Sequence, residues 1–179
     1  MDDASDLWTD WFREHGPALL LYARQWAMDQ TDAEDILQEA FVRYWPHRAQ
    51  VADPLAYVYS CVRNVAQDWR RRVGSRPEQF GRSELAQTEN GFSPTVGHNE
   101  PPWFEPGDAS LIQQELAQQV QDALSVLPQE QREVVVLKIW AGLSFSAIGQ
   151  VMGTSPHTAA SRYRYALKAL QTQLRKALH

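Results

Sequence analysis

Apolar residues recur along this chain with the spacing of an α-helix, and no segment alternates apolar and polar positions as a β-strand would. Apolar helix faces run through residues 6–28, 31–45, 54–72, 110–127, 128–142 and 144–176. The clearest face lies in 54–72 and is formed by Leu55, Val58, Val62, Val65 and Trp69. The pattern predicts an all-α protein.

Single residues predict where several of these helices begin and end. Pro17 predicts a break between two short helices in 6–28, because proline lacks the N–H of a helix interior. Thr31 and Glu34 fit a capping box at the start of the third helix. Asp53 and Pro54 fit the N-cap and first residue of the fourth helix.

Residues 73–109 lack this periodicity. They contain five of the nine glycines and five of the ten prolines, with few aliphatic residues. Such a composition buries too little apolar surface to order the chain. We therefore expect two small helical domains, 1–72 and 110–179, joined by an acidic flexible linker at 73–109.

The last two helices are predicted to form a helix-turn-helix. Ser144 fits the N-cap of a short helix, and Gly153 fits the left-handed residue that ends it. Ser155 and Pro156 fit the N-cap and first residue of a longer helix. In such a motif the second helix enters the major groove of DNA. The alternative is a helical hairpin that packs a core and carries a solvated basic face.

Charge is divided along the chain. Residues 1–72 have a net charge of −4, residues 73–109 of −4, and residues 110–179 of +3. After Glu133 there are six basic residues and no acidic ones. A basic face suits contact with DNA phosphates, whereas the acidic N-terminal part suits a protein partner.

Several other classes of function lack support in the sequence. The single Cys61 excludes an internal disulfide, and the five histidines are scattered without metal-ligand spacing. Phosphate-binding loops and nucleophile motifs are absent, so we expect no catalytic residue, no cofactor and no metal. The acidic N-terminus and the lack of long apolar stretches predict a cytoplasmic protein without membrane insertion.

Three segments, taken in order, resemble the sigma-70 family of RNA polymerase sigma factors, extracytoplasmic-function (ECF) class: DAEDILQEAFVRYW, DPLAYVYSCVRNVAQDWRRR and LPQEQREVVVLKIWAGLSFSAIGQVMGTSPHTAASRYRYALKAL. The resemblance implies a factor that binds core RNA polymerase and directs promoter-specific initiation. Residues 1–72 would be region 2, which docks on the polymerase clamp and recognises and melts the −10 element. Residues 110–179 would be region 4, which reads the −35 element and touches the polymerase flap. An anti-sigma factor is a further candidate partner.

The resemblance assigns roles to exposed helix faces. Polymerase docking falls on an acidic face with Asp32, Asp35, Gln38 and Glu39. Contact with −10 DNA falls on Tyr59, Arg63, Asn64, Gln67 and Arg70, with the loop 47–53 as the place for a captured base. Contact with −35 DNA falls on His157, Thr158, Ser161, Arg162, Arg164, Tyr165 and Lys168. Tyr57 and Trp69 are expected to be packing residues.

This sequence departs from the family pattern in the −35 segment. Ala147 stands where Glu is frequent, Ala159 and Ala160 replace Val-Lys, and Tyr165 replaces an Arg. Two rivals remain beside the sigma factor. A two-component-type regulator would share the helix-turn-helix but needs an α/β receiver domain, and residues 1–72 predict helices only. A helical adaptor that binds only protein, such as a sigma-binding factor, does not account for the basic C-terminal face.

Overall fold

The computed structural model describes residues 3–74 and 119–177, and all regular structure in these two ranges is helical. This confirms the all-α prediction. The N-terminal bundle (residues 3–74) contains α1 (Asp3–Arg24), α2 (Gln30–Tyr44), a 3₁₀ turn (Trp45–His47) and α3 (Pro54–Gly74). The C-terminal bundle (residues 119–177) contains α4 (119–125), α5 (Gln129–Ile139), α6 (Phe145–Met152) and α7 (Pro156–Ala177). From residue 75 onward, the predicted linker lies outside the described residues.

Helix α1 is continuous, so the break predicted at Pro17 is wrong. A proline inside a helix costs roughly 3 kcal/mol, because it removes one backbone hydrogen bond and crowds the preceding turn. Pro17 is exposed, while Phe12, Leu19 and Tyr22 are buried on the other side of the same helix. Burying these large side chains offsets the cost of the proline.

The start of α2 also differs from the prediction. Asp29, not Thr31, is the N-cap, and its carboxylate accepts a hydrogen bond from the Asp32 N–H at 2.9 Å. A carboxylate at this position satisfies a free N–H and complements the helix dipole. The cap predicted for α3 is confirmed, since Asp53 accepts from the Ala56 N–H at 3.1 Å.

The helix-turn-helix has the predicted caps. Ser144 accepts from the Ala147 N–H, and Ser155 accepts from the Thr158 N–H, at 3.1 and 3.0 Å. Gly153 ends α6 in the left-handed conformation, with φ of 64°. The turn is tight at one unpredicted position, because a Cβ at Gly149 would lie 2.7 Å from the Thr154 carbonyl oxygen. Gly149 therefore sets how closely the two helices approach.

The two bundles pack against each other and share one hydrophobic core. Within the N-terminal bundle α2 packs on α1 and α3, and within the C-terminal bundle α7 packs on α5 and α6. Between the bundles α1 contacts α5, and α3 contacts α6. The sequence pattern predicted two domains but not this contact. It brings the predicted −10 helix, α3, against the helix-turn-helix.

Candidate nucleic-acid and protein interfaces

The acidic face of α2 is open to solvent along most of its length. Asp35 and Gln38 are exposed, whereas Asp32 and Glu39 are half-buried. Partial burial raises the pKa of Asp35, and repulsion from Asp32 and Glu34 adds to the effect. The neighbouring carboxylates give this face a negative charge that a basic partner would relieve.

Glu39, at the end of this face, is already engaged by cations of its own bundle. Arg43 donates a hydrogen bond to it from one turn along α2, and Arg72 of α3 lies at 3.5 Å. Arg43 also donates to Asp68 of α3 at 3.3 Å. Hydrogen bonds from Arg71 and Arg43 lower the pKa of Asp68. Glu39 therefore takes part in a network that ties α2 to α3, a role that the sequence pattern did not predict.

The predicted −10 face of α3 is only partly open. Asn64 and Arg70 are exposed, and Gln67 is half-buried. Arg70 places its guanidinium 5.9 Å from the ring of Trp26. An open cavity of about 450 Å³ is lined by Trp26, Gln67, Arg70 and Arg71. Cations next to an aromatic ring can hold backbone phosphates and stack on bases.

Tyr59 does not lie on this open face, so its predicted exposure is wrong. The side chain is fully buried, and its ring meets Tyr22 of α1 edge-on with centroids 5.3 Å apart. Burial raises the pKa of its hydroxyl, which makes no protein hydrogen bond in the structure. The helical period located Tyr59 on the helix but could not show that α1 covers that side. The packing roles of Tyr57 and Trp69 are confirmed, since both lie half-buried against the core.

Arg63 is held between the two bundles. Only 18% of its side chain is exposed, and its Nε donates to the Glu133 carboxylate of α5 at 2.8 Å. Tyr22 donates its hydroxyl to the same carboxylate oxygen at 3.0 Å. With its amide oxygen turned toward Arg63, Gln67 accepts hydrogen bonds from both terminal nitrogens of the guanidinium group, at 2.7 and 3.2 Å.

Glu133 was missed at the sequence level. It is 1% exposed, and burial raises its pKa against the opposing effect of Arg63. The available signal was a lone carboxylate directly before the apolar run 134–137, which is buried in the structure. A charged residue among buried neighbours needs a charged or hydrogen-bonding partner.

The predicted −35 face lies on the first half of α7. His157, Arg164, Tyr165 and Lys168 are exposed there, and Tyr165 is 66% exposed. Thr158 and Ser161 are half-buried. The hydroxyl of Thr158 lies 2.9 Å from that of Ser155, and Ser161 accepts a hydrogen bond from Arg164 at 3.2 Å.

Arg162 is less free than its predicted neighbours. It pairs with Glu130 of α5 at 2.8 Å, and a quarter of its side chain is exposed. This pair joins two helices of the C-terminal bundle. Leu167 is 41% exposed and extends the open face of α7.

The loop 47–53 begins next to a stacked pair of side chains. The Arg48 guanidinium lies 4.0 Å from the centre of the Trp45 ring and donates to the Trp45 carbonyl oxygen. His47 packs against Tyr57 at 6.4 Å between ring centroids. Most of the loop is exposed, which leaves room for a ligand.

Across residues 3–74 and 119–177, no three His, Cys, Asp or Glu side chains cluster as metal ligands would. The helices described in these same ranges include none that is both long and apolar enough to cross a lipid bilayer.

Comparison with known proteins identifies the family. Residues 11–76 match the Sigma-70 region 2 family, and residues 117–170 match the Sigma-70, region 4 family. The RNA polymerase sigma factor CnrH of Cupriavidus metallidurans is 30% identical over 152 residues, which are 83% of this chain and 76% of CnrH. The chain belongs to the sigma-70 family.

It falls in the ECF class of that family. The ECF RNA polymerase sigma factor SigL of Mycobacterium tuberculosis is 27% identical over 169 residues, 92% of this chain and 87% of SigL. This chain is therefore a sigma factor, which binds core RNA polymerase and promoter DNA and directs promoter-specific initiation. The regulator and adaptor alternatives are not favoured.

Solved structures share the fold. The sigma factor RpoE from Bartonella quintana, in complex with the anti-sigma factor NepR, aligns with a TM-score of 0.61 and 20% identity over 89% of this chain and 91% of RpoE. CnrH in complex with the cytosolic domain of CnrY aligns with a TM-score of 0.60 and 22% identity over 93% of this chain and 86% of CnrH.

Proposed function

We propose that three separate faces of this sigma factor divide the work of initiation. The acidic face of α2 docks on the polymerase clamp, α3 with the loop 47–53 holds melted −10 DNA, and the first half of α7 reads the −35 element. The domain limits proposed for these roles are 1–72 and 110–179. The carrying observation is the separation of charge, since exposed and half-exposed carboxylates lie on α2 and exposed cations on α7.

Polymerase docking is assigned to Asp32, Asp35, Gln38 and Glu39. Asp35 and Gln38 are the most accessible, and the repulsion between Asp35 and its neighbouring carboxylates favours a partner that brings positive charge. Glu39 would exchange Arg43 and Arg72 for a basic group of polymerase, or would hold α3 in place behind the contact. A complementary charged face mainly sets the association rate and the choice of partner.

The docking assignment is tested by reversing charge on α2. Asp35→Lys combined with Glu39→Lys should weaken competition for core polymerase, because like charges would then oppose across the interface. Asp10→Lys combined with Glu14→Lys, an equal double reversal at exposed positions of α1, is the matched control and should compete as wild type does. Equal competition by the double variant and the control would remove this face from the interface.

For −10 DNA the exposed Asn64 and Arg70 supply contacts that need no rearrangement. Arg63 reaches DNA only after the contact between the bundles opens, whereas Tyr59 is covered by α1 of its own bundle and needs a movement of α1 as well. Opening a duplex costs a few kcal/mol for each extruded base, and stacking and phosphate contacts recover part of that cost.

For −35 DNA we assign base-edge contacts to Ser161 and Arg162 and backbone contacts to Arg164 and Lys168, with His157, Thr158 and Tyr165 at the margins. Glu130 holds Arg162 in one orientation, which favours a directed contact over a diffuse one. The exposed Arg164 and Lys168 suit contacts with phosphates. Losing such a contact would weaken binding to all DNA sequences alike.

The chain positions polymerase and makes no covalent bonds itself. It acts in the cytoplasm with polymerase, and its C-terminal bundle touches the flap. A protein of the anti-sigma type binds it, which is supported by the two structural relatives that were solved with such partners.

A further inference from the structure

The two bundles meet at one buried carboxylate. Glu133 belongs to α5, and both groups that donate to its Oε2 come from the N-terminal bundle: Tyr22 of α1 at 3.0 Å and Arg63 of α3 at 2.8 Å. The acceptor is 1% exposed and the arginine 18%. Around this site the buried residues of the two bundles are mainly apolar.

This polar contact is only partly satisfied. The other oxygen of Glu133, the hydroxyl of Tyr59 and the indole nitrogen of Trp26 make no protein hydrogen bond in the structure. Trp26 also lies 5.8 Å from the guanidinium carbon of Arg63. Buried polar groups in stable cores are nearly always paired. A buried ion pair contributes little net stability, so water can replace this contact at small cost when the bundles part. Removing one partner is different, because it leaves the other partner buried and unpaired in the closed form and so favours opening.

The promoter requires the bundles to part. Elements centred at −10 and −35 are about 25 base pairs apart, which is about 85 Å along a duplex that rises 3.4 Å per base pair. Helices α3 and α6 are in direct contact in this structure, so the two DNA-reading faces cannot reach both elements at once. The structure therefore represents a closed form that differs from the promoter-bound form.

We propose that Glu133, with Tyr22 and Arg63, is a latch that closes the C-terminal bundle onto the N-terminal bundle in the free sigma factor. In the closed form the Glu133 carboxylate occupies the position at Arg63 that a DNA phosphate or base edge would take. Core polymerase opens the latch by holding the two bundles apart. Opening frees Arg63 at the place where melted DNA is bound, so the free protein is a poor ligand for −10 DNA.

The latch itself is tested by the size of the free chain in small-angle X-ray scattering. Glu133→Ala removes the acceptor of both donors and should increase the radius of gyration by several ångström, with unchanged helix content by circular dichroism. Glu130→Ala is the matched control, because it removes a carboxylate of the same helix whose partner, Arg162, lies in the same bundle. The control should keep the wild-type radius.

Tyr22→Phe provides a second variant that keeps the ring and removes only one donor. It should expand the chain less than Glu133→Ala does. If Glu133→Ala does not fold, Tyr22→Phe alone decides the matter. A wild-type radius in every folded variant would overturn the latch.

The consequence for DNA rests on the proposed role of Arg63 and is measured separately. Free Glu133→Ala should bind a single-stranded −10 oligonucleotide at least about fivefold more tightly than wild type in fluorescence anisotropy. Adding Arg63→Ala should abolish the gain, and a gain that persists would overturn the release of Arg63. Assembled with core polymerase, Glu133→Ala should melt the promoter as wild type does. A defect in promoter melting, without expansion of the free chain, would make Glu133 a structural residue only.

The two proposals fail in different ways. If Glu133→Ala expands the free chain but Arg63→Ala in the holoenzyme melts the promoter normally, the latch stands and the −10 role of Arg63 is wrong. If Arg63→Ala impairs melting but Glu133→Ala leaves the radius unchanged, the −10 role stands and the latch is wrong.

Discussion

At the scale of single residues, burial changes what a charged side chain can do. Glu133 and Arg63 would each be ordinary surface groups on an isolated helix, but the contact between the bundles removes both from water. Burial raises the pKa of Glu133 above its ordinary value of 4.5, and it also raises the pKa of Tyr22. Both shifts show that the charged forms of these groups are disfavoured in the closed form.

The raised pKa of Glu133 predicts a pH dependence with a definite sign. The folded form binds this proton more tightly than the unfolded chain, so the contribution to stability is complete below the ordinary pKa of 4.5 and is lost as pH rises through the raised value. The groups that face this carboxylate are Arg63, Tyr22 and, at longer range, Glu130 and Arg132.

The measurement is the melting temperature of wild type and Glu133→Gln between about pH 4.5 and pH 8. The wild type should lose stability relative to the variant as pH rises, because the amide has no proton to lose. Asp35 also has a raised pKa, so Asp35→Asn serves as the control for the remaining titration. Parallel profiles for wild type and Glu133→Gln would contradict this assignment.

Asn64 differs from Arg63 in being exposed and outside the latch. Asn64→Ala should therefore leave the size of the free chain unchanged and impair only the formation of the open complex. Permanganate footprinting of thymines in the promoter measures melting, and a premelted template should rescue the variant if contact with melted DNA is its role. Normal thymine reactivity on duplex templates would remove Asn64 from the −10 surface.

At the scale of helices, local chemistry predicted the boundaries where one side chain sets the backbone. The caps at Asp53, Ser144 and Ser155 and the left-handed Gly153 are all present, because each depends on neighbours within four residues. The failure at Pro17 has the opposite cause. There, packing of α1 against the rest of the bundle outweighs a local preference that would end an isolated helix.

Gly149 gives a prediction at this scale. In Gly149→Ala the new Cβ would meet backbone atoms of Thr154 and Pro156 at 2.7 and 3.2 Å, which cannot move without opening the turn. We expect a loss of roughly 1–3 kcal/mol in the free energy of unfolding. Gly16→Ala is the control, since its Cβ would meet nothing within 4 Å and alanine favours a helix interior by roughly 0.5–1 kcal/mol. Urea denaturation of both variants should therefore give shifts of opposite sign.

At the scale of the whole molecule, the sequence predicted the helices and the exposed acidic and basic faces, but not how the two bundles meet. Periodicity identifies the buried side of each helix without identifying the helix that covers it. Tyr22 and Glu133 are 111 positions apart, and no local signal relates them. The burial of Tyr59 was not predicted because α1 covers it, and the sequestration of Arg63 was not predicted because Glu133 lies in the other bundle.

Beside the shared apolar core, two electrostatic causes could keep the bundles closed, and they respond differently to salt. Residues 1–72 carry a net charge of −4 and residues 110–179 of +3, so long-range attraction between them would favour a compact chain. Salt screens that attraction beyond about 10 Å at ~0.1 M. In the pair of Glu133 and Arg63 the charges are the reverse of the net charges, because the anion lies in the basic half and the cation in the acidic half. The pair is also buried, so salt screens its attraction little.

The radius of gyration of wild type in a salt series separates these causes. If the latch closes the molecule, the radius should stay constant from low ionic strength to well above ~0.15 M, where exposed charges more than about 8 Å apart are screened. Glu133→Ala should have a larger radius of gyration than wild type at every salt concentration, because closure of the variant depends on the apolar contacts and the weak long-range attraction alone. A wild-type radius that grows with salt until it equals that of Glu133→Ala would instead assign closure to the charges distributed over the two halves. The buried contact would then be a result of closure and not its cause.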